Sequence, residues 1–280
     1  MIKSVTNDLI KQSIIRMQKI AKNSEFDNNF EEISFKNEVK DEKNDDKLII
    51  EGRVDKVELT ADNDNVYINV VDYKSGGKAK EIELKKVLDG VSIQLLLYLD
   101  YFKNYNELTD NTYKDDKISN IVNGKHIIPC GAFYFWVDDP IIQINNEKTS
   151  EMKIGNIEDL RQDKLAYVGL ANKDLNVLKK INKGLSVDDP DKFKSVKDIT
   201  SRFTVRGEFL KDEDIDSDST FEGVIGKVHE KIIDSVNRMK SGDIKANPYD
   251  ANNCMYCECR NICRKEMLAD EEDESDMAEN

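Results

Sequence analysis

The spacing of hydrophobic and polar positions changes along the chain, and each change predicts a different element. Residues 6–21 have apolar side chains at helical spacing with lysine and arginine between them, which predicts an amphipathic helix. Residues 66–73 are rich in β-branched and aromatic side chains and are bounded by turn-forming residues, which predicts a strand. Residues 126–137 predict another strand, central in its sheet, and residues 220–240 return to helical spacing. The pattern therefore predicts an α/β fold.

Two neighbouring strands are predicted to bring two aspartates together. Residues 52–60 form a strand, and residues 61–65 are typical of a turn that leads into the next strand. A hairpin of these two strands would put Asp55 beside Asp72. Asp72 and Lys74 are two residues apart, so they point to the same face of an extended chain. Two carboxylates beside a lysine predict a Mg²⁺ site, since this ion prefers oxygen ligands and can activate water.

The order and spacing of these elements resemble the PD-(D/E)XK nuclease superfamily, in its RecB-like branch. Asp55 stands in the G-x-x-D context of the family's first metal aspartate, and Asp72-Tyr73-Lys74 matches its (D/E)-x-K element. The resemblance implies a restriction-endonuclease-like core, in which helices flank a mixed sheet. It also implies that Asp55 and Asp72 bind Mg²⁺ or Mn²⁺, with the Tyr73 carbonyl oxygen as a further ligand. Lys74 would act on the nucleophile or the transition state.

Two further segments resemble parts of the same nuclease family. Gln94 and Tyr98 match its Q-x-x-x-Y element, and one helical turn separates them, so they share a face that would orient DNA. Residues 31–35 predict a short strand of the E-x-x-F kind, in which the family has a glutamate before the metal aspartate. This catalytic role would fall to Glu32, and the alternative for Glu32 is a surface position. The charged residues 36–47 predict a loop.

Four cysteines lie within ten residues near the end of the chain. Cys254, Cys257 and Cys263 resemble the C-terminal half of the iron–sulfur staple in AddB-type helicase–nuclease subunits and in CRISPR-adaptation nucleases. The resemblance implies a 4Fe-4S cluster with a fourth cysteine upstream of the nuclease core, yet no cysteine precedes Cys130 here. Cys259 is a further candidate ligand. Zinc on the four thiols, free thiols, and a cluster that is incomplete in this chain are the alternatives.

Two other segments resemble the AddB type, namely R-Q-D-K at 161–164 and G-D-I-K-A-N-P-Y at 242–249. The resemblance implies a DNA exonuclease domain that acts in double-strand break repair and recombination beside an AddA-like partner subunit. A CRISPR-adaptation nuclease is the alternative enzyme. A nuclease-fold module for assembly or DNA binding is the non-enzymatic alternative, because the family's upstream histidine and cysteine are missing from this sequence.

Composition narrows the class of protein. The chain has 280 residues and a net charge of −14, which argues against broad nonspecific adhesion to DNA but leaves room for a local basic groove. We expect an N-terminally truncated nuclease domain over 1–240, a cysteine staple over 241–265 and an acidic disordered tail over 266–280. No apolar run reaches membrane-spanning length and no signal peptide begins the sequence, which predicts a cytoplasmic protein without a membrane partner.

Overall fold

Six strands form one mixed sheet in the computed structural model, which describes residues 2–41, 46–75, 82, 84–108, 112–137, 165–172, 174–183, 201–205, 221–243 and 245–263. Their order in the sheet is their order in the chain: β1 Asn28–Asp41, β2 Asp46–Ala61, β3 Asn65–Ser75, β4 His126–Val137, β5 Tyr167–Ala171 and β6 Ser201–Val205. Neighbouring strands are antiparallel except β3 with β4 and β5 with β6, which are parallel. The mixed sheet agrees with the fold class that the sequence predicts.

The described helices are α1 Ile2–Asn23, α2 Leu84–Leu88, α3 Gln94–Lys103, α4 Asp116–Val122, α5 Leu175–Ile181, α6 Phe221–Lys240 and α7 Arg260–Cys263. Short 3₁₀ helices lie at Tyr105–Glu107 and Ala251–Tyr256. The side chains of Asp115 and Asp174 accept hydrogen bonds from the first backbone N–H groups of α4 and α5, which fixes where these helices begin. Within the described ranges, no helix combines the length and the apolar character needed to cross a membrane.

The sheet has two buried faces, each with its own hydrophobic core. On the front face, Leu95 and Leu99 of α3 pack in one cluster with Ile68 of β3, and α4 and the first turns of α6 join them. On the back face, Ile20 of α1 and Val177 of α5 join a cluster that includes Phe133 and Tyr167. Alternate residues of each strand therefore face different helices, as the period of two requires.

The pairing of β1 with β2 corrects one expectation. The sequence predicts a charged loop over 36–47, but β1 continues through Asp41 and pairs with β2 from Asp46 onward. This prediction is therefore wrong for 36–41 and 46–47, and 42–45 lie outside the described residues. These two paired segments are charged and lack the alternation of hydrophobic and polar residues that predicts a strand. The sequence pattern therefore predicts a loop. Strand β5 also lacks a counterpart among the predicted elements, because its five residues are buried throughout and show no period.

The chain divides into two compact units, Met1–Ile233 and Asp234–Asn280. The predicted domain boundary after residue 240 stays a prediction. The predicted tail over 266–280 and the R-Q-D-K segment at 161–164 lie outside the described residues.

Candidate active site

Asp55 on β2 and Asp72 on β3 lie opposite each other on the front face. Lys56 pairs with Val71, so the next position along this register brings Asp55 to Asp72. Asp55 Oδ2 also accepts a hydrogen bond of 2.8 Å from the backbone N–H of Tyr73. This bond fixes the Asp55 carboxylate against β3. The structure thus brings Asp55 and Asp72 together.

Asp72 is buried and carries an incomplete set of partners. Lys74 Nζ lies 2.5 Å from Asp72 Oδ2, but no group of the described residues meets hydrogen-bond geometry at this oxygen. Burial raises the pKa of Asp72, the Lys74 ammonium partly offsets this, and the nearby Asp55 carboxylate adds to the rise. The pKa of Lys74 is also raised, because the Asp72 carboxylate outweighs the effect of burial. A further positive charge near Asp72 would therefore be stabilised.

Helix α3 places Gln94 and Tyr98 on the side of this cluster. Gln94 Nε2 donates a hydrogen bond of 2.8 Å to the Tyr98 hydroxyl. Burial raises the pKa of Tyr98, the hydrogen bond from Gln94 lowers it, and the Asp72 and Asp55 carboxylates raise it further. The phenol is thus close enough to both carboxylates for their charge to act on it, and the role of Gln94 and Tyr98 in orienting DNA stays a prediction.

Gly52, the glycine of the G-x-x-D segment, makes room for an aromatic ring that supports α3. It pairs with Phe35 across β1 and β2, and a Cβ at this position would lie 3.0 Å from the Phe35 ring. The Phe35 ring in turn contacts Tyr98 edge-on, with ring centroids 5.5 Å apart, and Tyr101 at 4.9 Å. The glycine therefore acts on the site indirectly, because it sets where the Tyr98 ring packs.

Glu32 falls opposite Asp55 in the register of β1 and β2, and its carboxylate is paired with Arg53. Its Oε2 lies 2.8 Å from Arg53 Nε, and both side chains are more than half exposed. Among the described residues, Glu32 and Ser92 are the non-glycine residues with positive φ, at 56° and 59°. Such strained backbone often occurs at functional sites. Glu32 falls opposite Asp55 in the strand register, and Ser92 comes two residues before Gln94.

Tyr134 belongs to the same cluster, although it is not among the predicted site residues. It pairs with Asp72 in the parallel register of β3 and β4, and Lys74 Nζ lies 5.2 Å from the centre of its ring. Burial raises the pKa of Tyr134, the Lys74 ammonium lowers it, and Asp72 raises it again. Since residues 133–136 are all aromatic, only the strand register reveals which ring meets the lysine.

The donor set suits Mg²⁺ or Mn²⁺. In the part of the chain that the structure describes, no three His, Cys, Asp or Glu side chains form a metal-holding group. Two carboxylates are sufficient for Mg²⁺, however, because this ion keeps several waters and takes further oxygens from substrate phosphates. The buried Asp72 oxygen faces the Lys74 ammonium but has no aligned hydrogen bond among the described residues, so a metal cation can compete for it.

The cysteine segment lies in the second unit. Cys254 is half-buried, whereas Cys257, Cys259 and Cys263 are exposed. The backbone N–H of Cys263 donates to the Cys259 carbonyl, and that of Cys257 to the Cys254 carbonyl, so the thiols sit on two successive short turns. The described residues do not gather three of these thiols at one point, and the iron–sulfur cluster stays a prediction. Cys130, by contrast, is fully buried in the back core, and burial raises its pKa.

The chain belongs to the PD-(D/E)XK nuclease superfamily, whose family model matches residues 5–264. Among curated proteins it is similar to the B-type subunit of the ATP-dependent helicase/deoxyribonuclease of Alkaliphilus oremlandii, with 30% identity over 222 residues, or 78% of this chain. The corresponding proteins of Carboxydothermus hydrogenoformans and Clostridium tetani are each 28% identical, over 80% and 78% of this chain. The matches cover 17% or 18% of these relatives, so the chain spans less than a fifth of their length. The predicted resemblance is confirmed.

Proposed function

We propose that this chain is the metal-dependent deoxyribonuclease module of a helicase–nuclease subunit. The observation that carries the proposal is the meeting of Asp55, Asp72 and Lys74 on one face of a sheet of this superfamily. The similar proteins are named as the B-type subunit of an ATP-dependent helicase/deoxyribonuclease. We accordingly assign the chain exonucleolytic cleavage of one DNA strand, in double-strand break repair and recombination, beside an AddA-like partner subunit.

Asp55, Asp72 and the Tyr73 carbonyl oxygen are the groups that would hold Mg²⁺ or Mn²⁺. Such an ion, when bound, polarises a phosphoryl oxygen and lowers the pKa of a coordinated water. The Tyr73 N–H already orients the Asp55 carboxylate, so little conformational freedom remains to be lost at this ligand. Tyr73 therefore contributes in two ways: its N–H orients the Asp55 carboxylate, and its carbonyl oxygen would itself bind the ion.

Lys74 and Tyr98 supply the remaining chemistry. The Lys74 ammonium offsets the negative charge that develops on the phosphate and orients the attacking water. The Tyr98 oxygen accepts a hydrogen bond from Gln94, so its own proton is directed away from Gln94 and can be donated to a phosphate oxygen. In this arrangement Gln94 sets the direction of the Tyr98 hydroxyl.

Glu32 is proposed as an additional acidic residue of the site. Its left-handed backbone costs about 1–3 kcal/mol, and the Arg53 ion pair holds its exposed carboxylate beside the strand that carries Asp55. Replacing Glu32 with Gln should lower the rate of DNA cleavage without lowering the melting temperature. An unchanged rate would leave Glu32 as a surface residue.

DNA cleavage with a matched pair of lysine variants tests the proposed function. Linear double-stranded DNA labelled at one end is incubated with Mg²⁺ and the wild type, Lys74→Met or Lys179→Met. We expect wild type to shorten the DNA from its ends, Lys74→Met to be slower by about 10³-fold, and Lys179→Met to match wild type. Lys179 is exposed on α5, the helix of the back face, and so controls for the loss of a charge.

Two outcomes would overturn the proposal. Equal cleavage by wild type and Lys74→Met would show that the activity does not come from this site. Binding of DNA without cleavage, both by the chain alone and with an added helicase–nuclease partner, would indicate a module for assembly or DNA holding. The partner is included because a chain with a net charge of −14 has little attraction for DNA by itself.

The iron–sulfur cluster stays a separate prediction, and no catalytic step depends on it. Anaerobic purification followed by visible absorption and by iron and sulfide analysis tests it directly. A brown protein containing iron and sulfide would support a cluster on Cys254, Cys257 and Cys263, with Cys259 as the candidate fourth ligand. A colourless protein that contains zinc would favour the zinc alternative, and one without either metal would contradict both.

A further inference from the structure

The Lys74 ammonium has two described partners of different kinds. One is the Asp72 carboxylate, 2.5 Å away, and the other is the face of the Tyr134 ring, 5.2 Å from Nζ to the ring centre. Both partners lie at one level of the sheet, since Asp72 and Tyr134 pair directly across β3 and β4. The Tyr134 ring packs against the front-face core, which holds it in place.

A bound metal ion would change the balance between these two partners. The ion and the Lys74 ammonium are both positive and would compete for the same Asp72 carboxylate. When a lysine loses its ion pair with a carboxylate, its flexible four-carbon side chain can again adopt many rotamers. An aromatic face attracts an ammonium through its quadrupole and offers no oxygen ligand of the carboxylate kind to the metal.

We propose that Tyr134 is a positioning residue, whose ring keeps the Lys74 ammonium over the site when a metal ion takes up Asp72. The proposal rests on the proposed function, because it concerns the same metal site. Tyr134 acts through Lys74, and it needs its ring but not its hydroxyl. Tyr134→Phe should therefore preserve what Tyr134→Leu removes.

Nuclear magnetic resonance tests the contact without any need for DNA cleavage. In protein with isotope-labelled lysine, the Lys74 ε-CH₂ protons should be shifted upfield by the ring, and Lys74→Met assigns their signal. We expect this upfield shift to persist at saturating Mg²⁺ in wild type and Tyr134→Phe. In Tyr134→Leu the signal should move to the position of an ordinary exposed lysine. If Mg²⁺ moves the wild-type signal to that position, the proposal is wrong.

Kinetics separates positioning from a merely structural role. Tyr134→Leu should lower kcat roughly five- to tenfold with KM unchanged, and Tyr134→Phe should restore the lost rate. In the Lys74→Met background, Tyr134→Leu should cause no further loss, because the ring then has no ammonium to hold. An equal loss in that background, or a loss explained by a lower melting temperature, would overturn the proposal. If wild type proves inactive, the proposed function fails while the resonance experiment still decides the contact.

Discussion

The sheet carries two lysine–carboxylate pairs of the same spacing on opposite faces. On the front, Lys74 lies 2.5 Å from Asp72, and on the back, Lys56 lies 2.7 Å from Glu58. In each pair the residues are two apart on one strand and so share a face. The lysines differ in exposure, however, since the side chain of Lys74 is 35% exposed and that of Lys56 only 10%.

The two pairs also differ in how completely the carboxylate is satisfied. Glu58 accepts hydrogen bonds from Lys56 and from the Tyr167 hydroxyl, at 2.7 Å and 2.8 Å, and a longer one of 3.4 Å from Asn69 Nδ2. Asp72 Oδ2 has no aligned donor among the described residues. A fully paired buried charge stabilises one arrangement, whereas an incomplete pair open to solvent can exchange its partner. The back pair is therefore structural, and the front pair is the one suited to chemistry.

The largest expected difference between the faces is in activity. Asp72→Asn should reduce Mg²⁺-dependent DNA cleavage by about 10³-fold or more, because it removes a metal ligand. The same change should leave the free energy of unfolding within about 1 kcal/mol of wild type or raise it, since burial already disfavours the charged form of Asp72. Urea unfolding and the cleavage assay check this. A loss of activity that merely follows a loss of stability would contradict it.

The corresponding change on the back face should act on stability. Lys56→Met leaves the Glu58 carboxylate buried without its lysine, which should lower the free energy of unfolding by about 3 kcal/mol. Mn²⁺ binding should persist below the melting temperature. Urea unfolding measures the first quantity and calorimetry the second. A variant as stable as wild type would remove the contrast between the two pairs.

A change in the packing near the Lys74–Asp72 pair should have a smaller effect on stability and DNA binding. Gly52→Ala would push a methyl group to 3.0 Å from the Phe35 ring, which contacts Tyr98. We expect a loss of about 1–2 kcal/mol in the free energy of unfolding, as in other overpacked cores. We also expect weaker DNA binding, because Tyr98 moves with the ring. Thermal melting and a DNA titration measure these effects, and wild-type values in both would show that Phe35 adjusts freely.

A third pair, His229 with Asp100, extends the comparison, because its side chains are about as exposed as those of Lys74 and Asp72. His229 Nδ1 on α6 lies 2.9 Å from Asp100 on α3, and their side chains are 34% and 7% exposed. Unlike Asp72, Asp100 has a second donor, Asn104 Nδ2 at 3.2 Å. A carboxylate that is paired on both sides should again contribute to stability.

This third pair makes stability depend on pH. The hydrogen bond to Asp100 raises the pKa of His229, although burial opposes the rise. The pair should therefore stabilise the protein fully below about pH 6.5, and this contribution should be lost as pH rises through the raised pKa. Since His229 is partly exposed, we expect His229→Gln to cost about 1 kcal/mol at about pH 6 and almost nothing at about pH 9. A cost independent of pH, measured by urea unfolding, would contradict the ionic contribution.

Local spacing was enough to predict the parts of the site that lie on one hairpin or one helix. Asp55 and Asp72 follow from the β2–β3 hairpin, and Gln94 with Tyr98 follows from one helical turn. Such contacts depend on short sequence separations, which periodicity describes well. Periodicity predicts the α/β class, whereas the mixed sheet flanked by helices is what the family resemblance implies.

The long-range partners could not be predicted in this way. Glu58 and Tyr167 are 109 residues apart, and Asp100 and His229 are 129 apart, so no local pattern links them. Tyr134 needs the register of two parallel strands that are joined by intervening helices. These contacts depend on how strands align across the sheet, which the period of each segment leaves open.

The central claim is that the front carboxylates, and not the back one, form the metal site. Calorimetric titration with Mn²⁺ of wild type, Asp72→Asn and Glu58→Gln tests it, since both variants exchange a carboxylate for an amide of the same shape. Thermal melting first establishes that all three are folded at the titration temperature. We predict binding heat for wild type and Glu58→Gln and none for Asp72→Asn. Equal heats in wild type and Asp72→Asn would contradict the account.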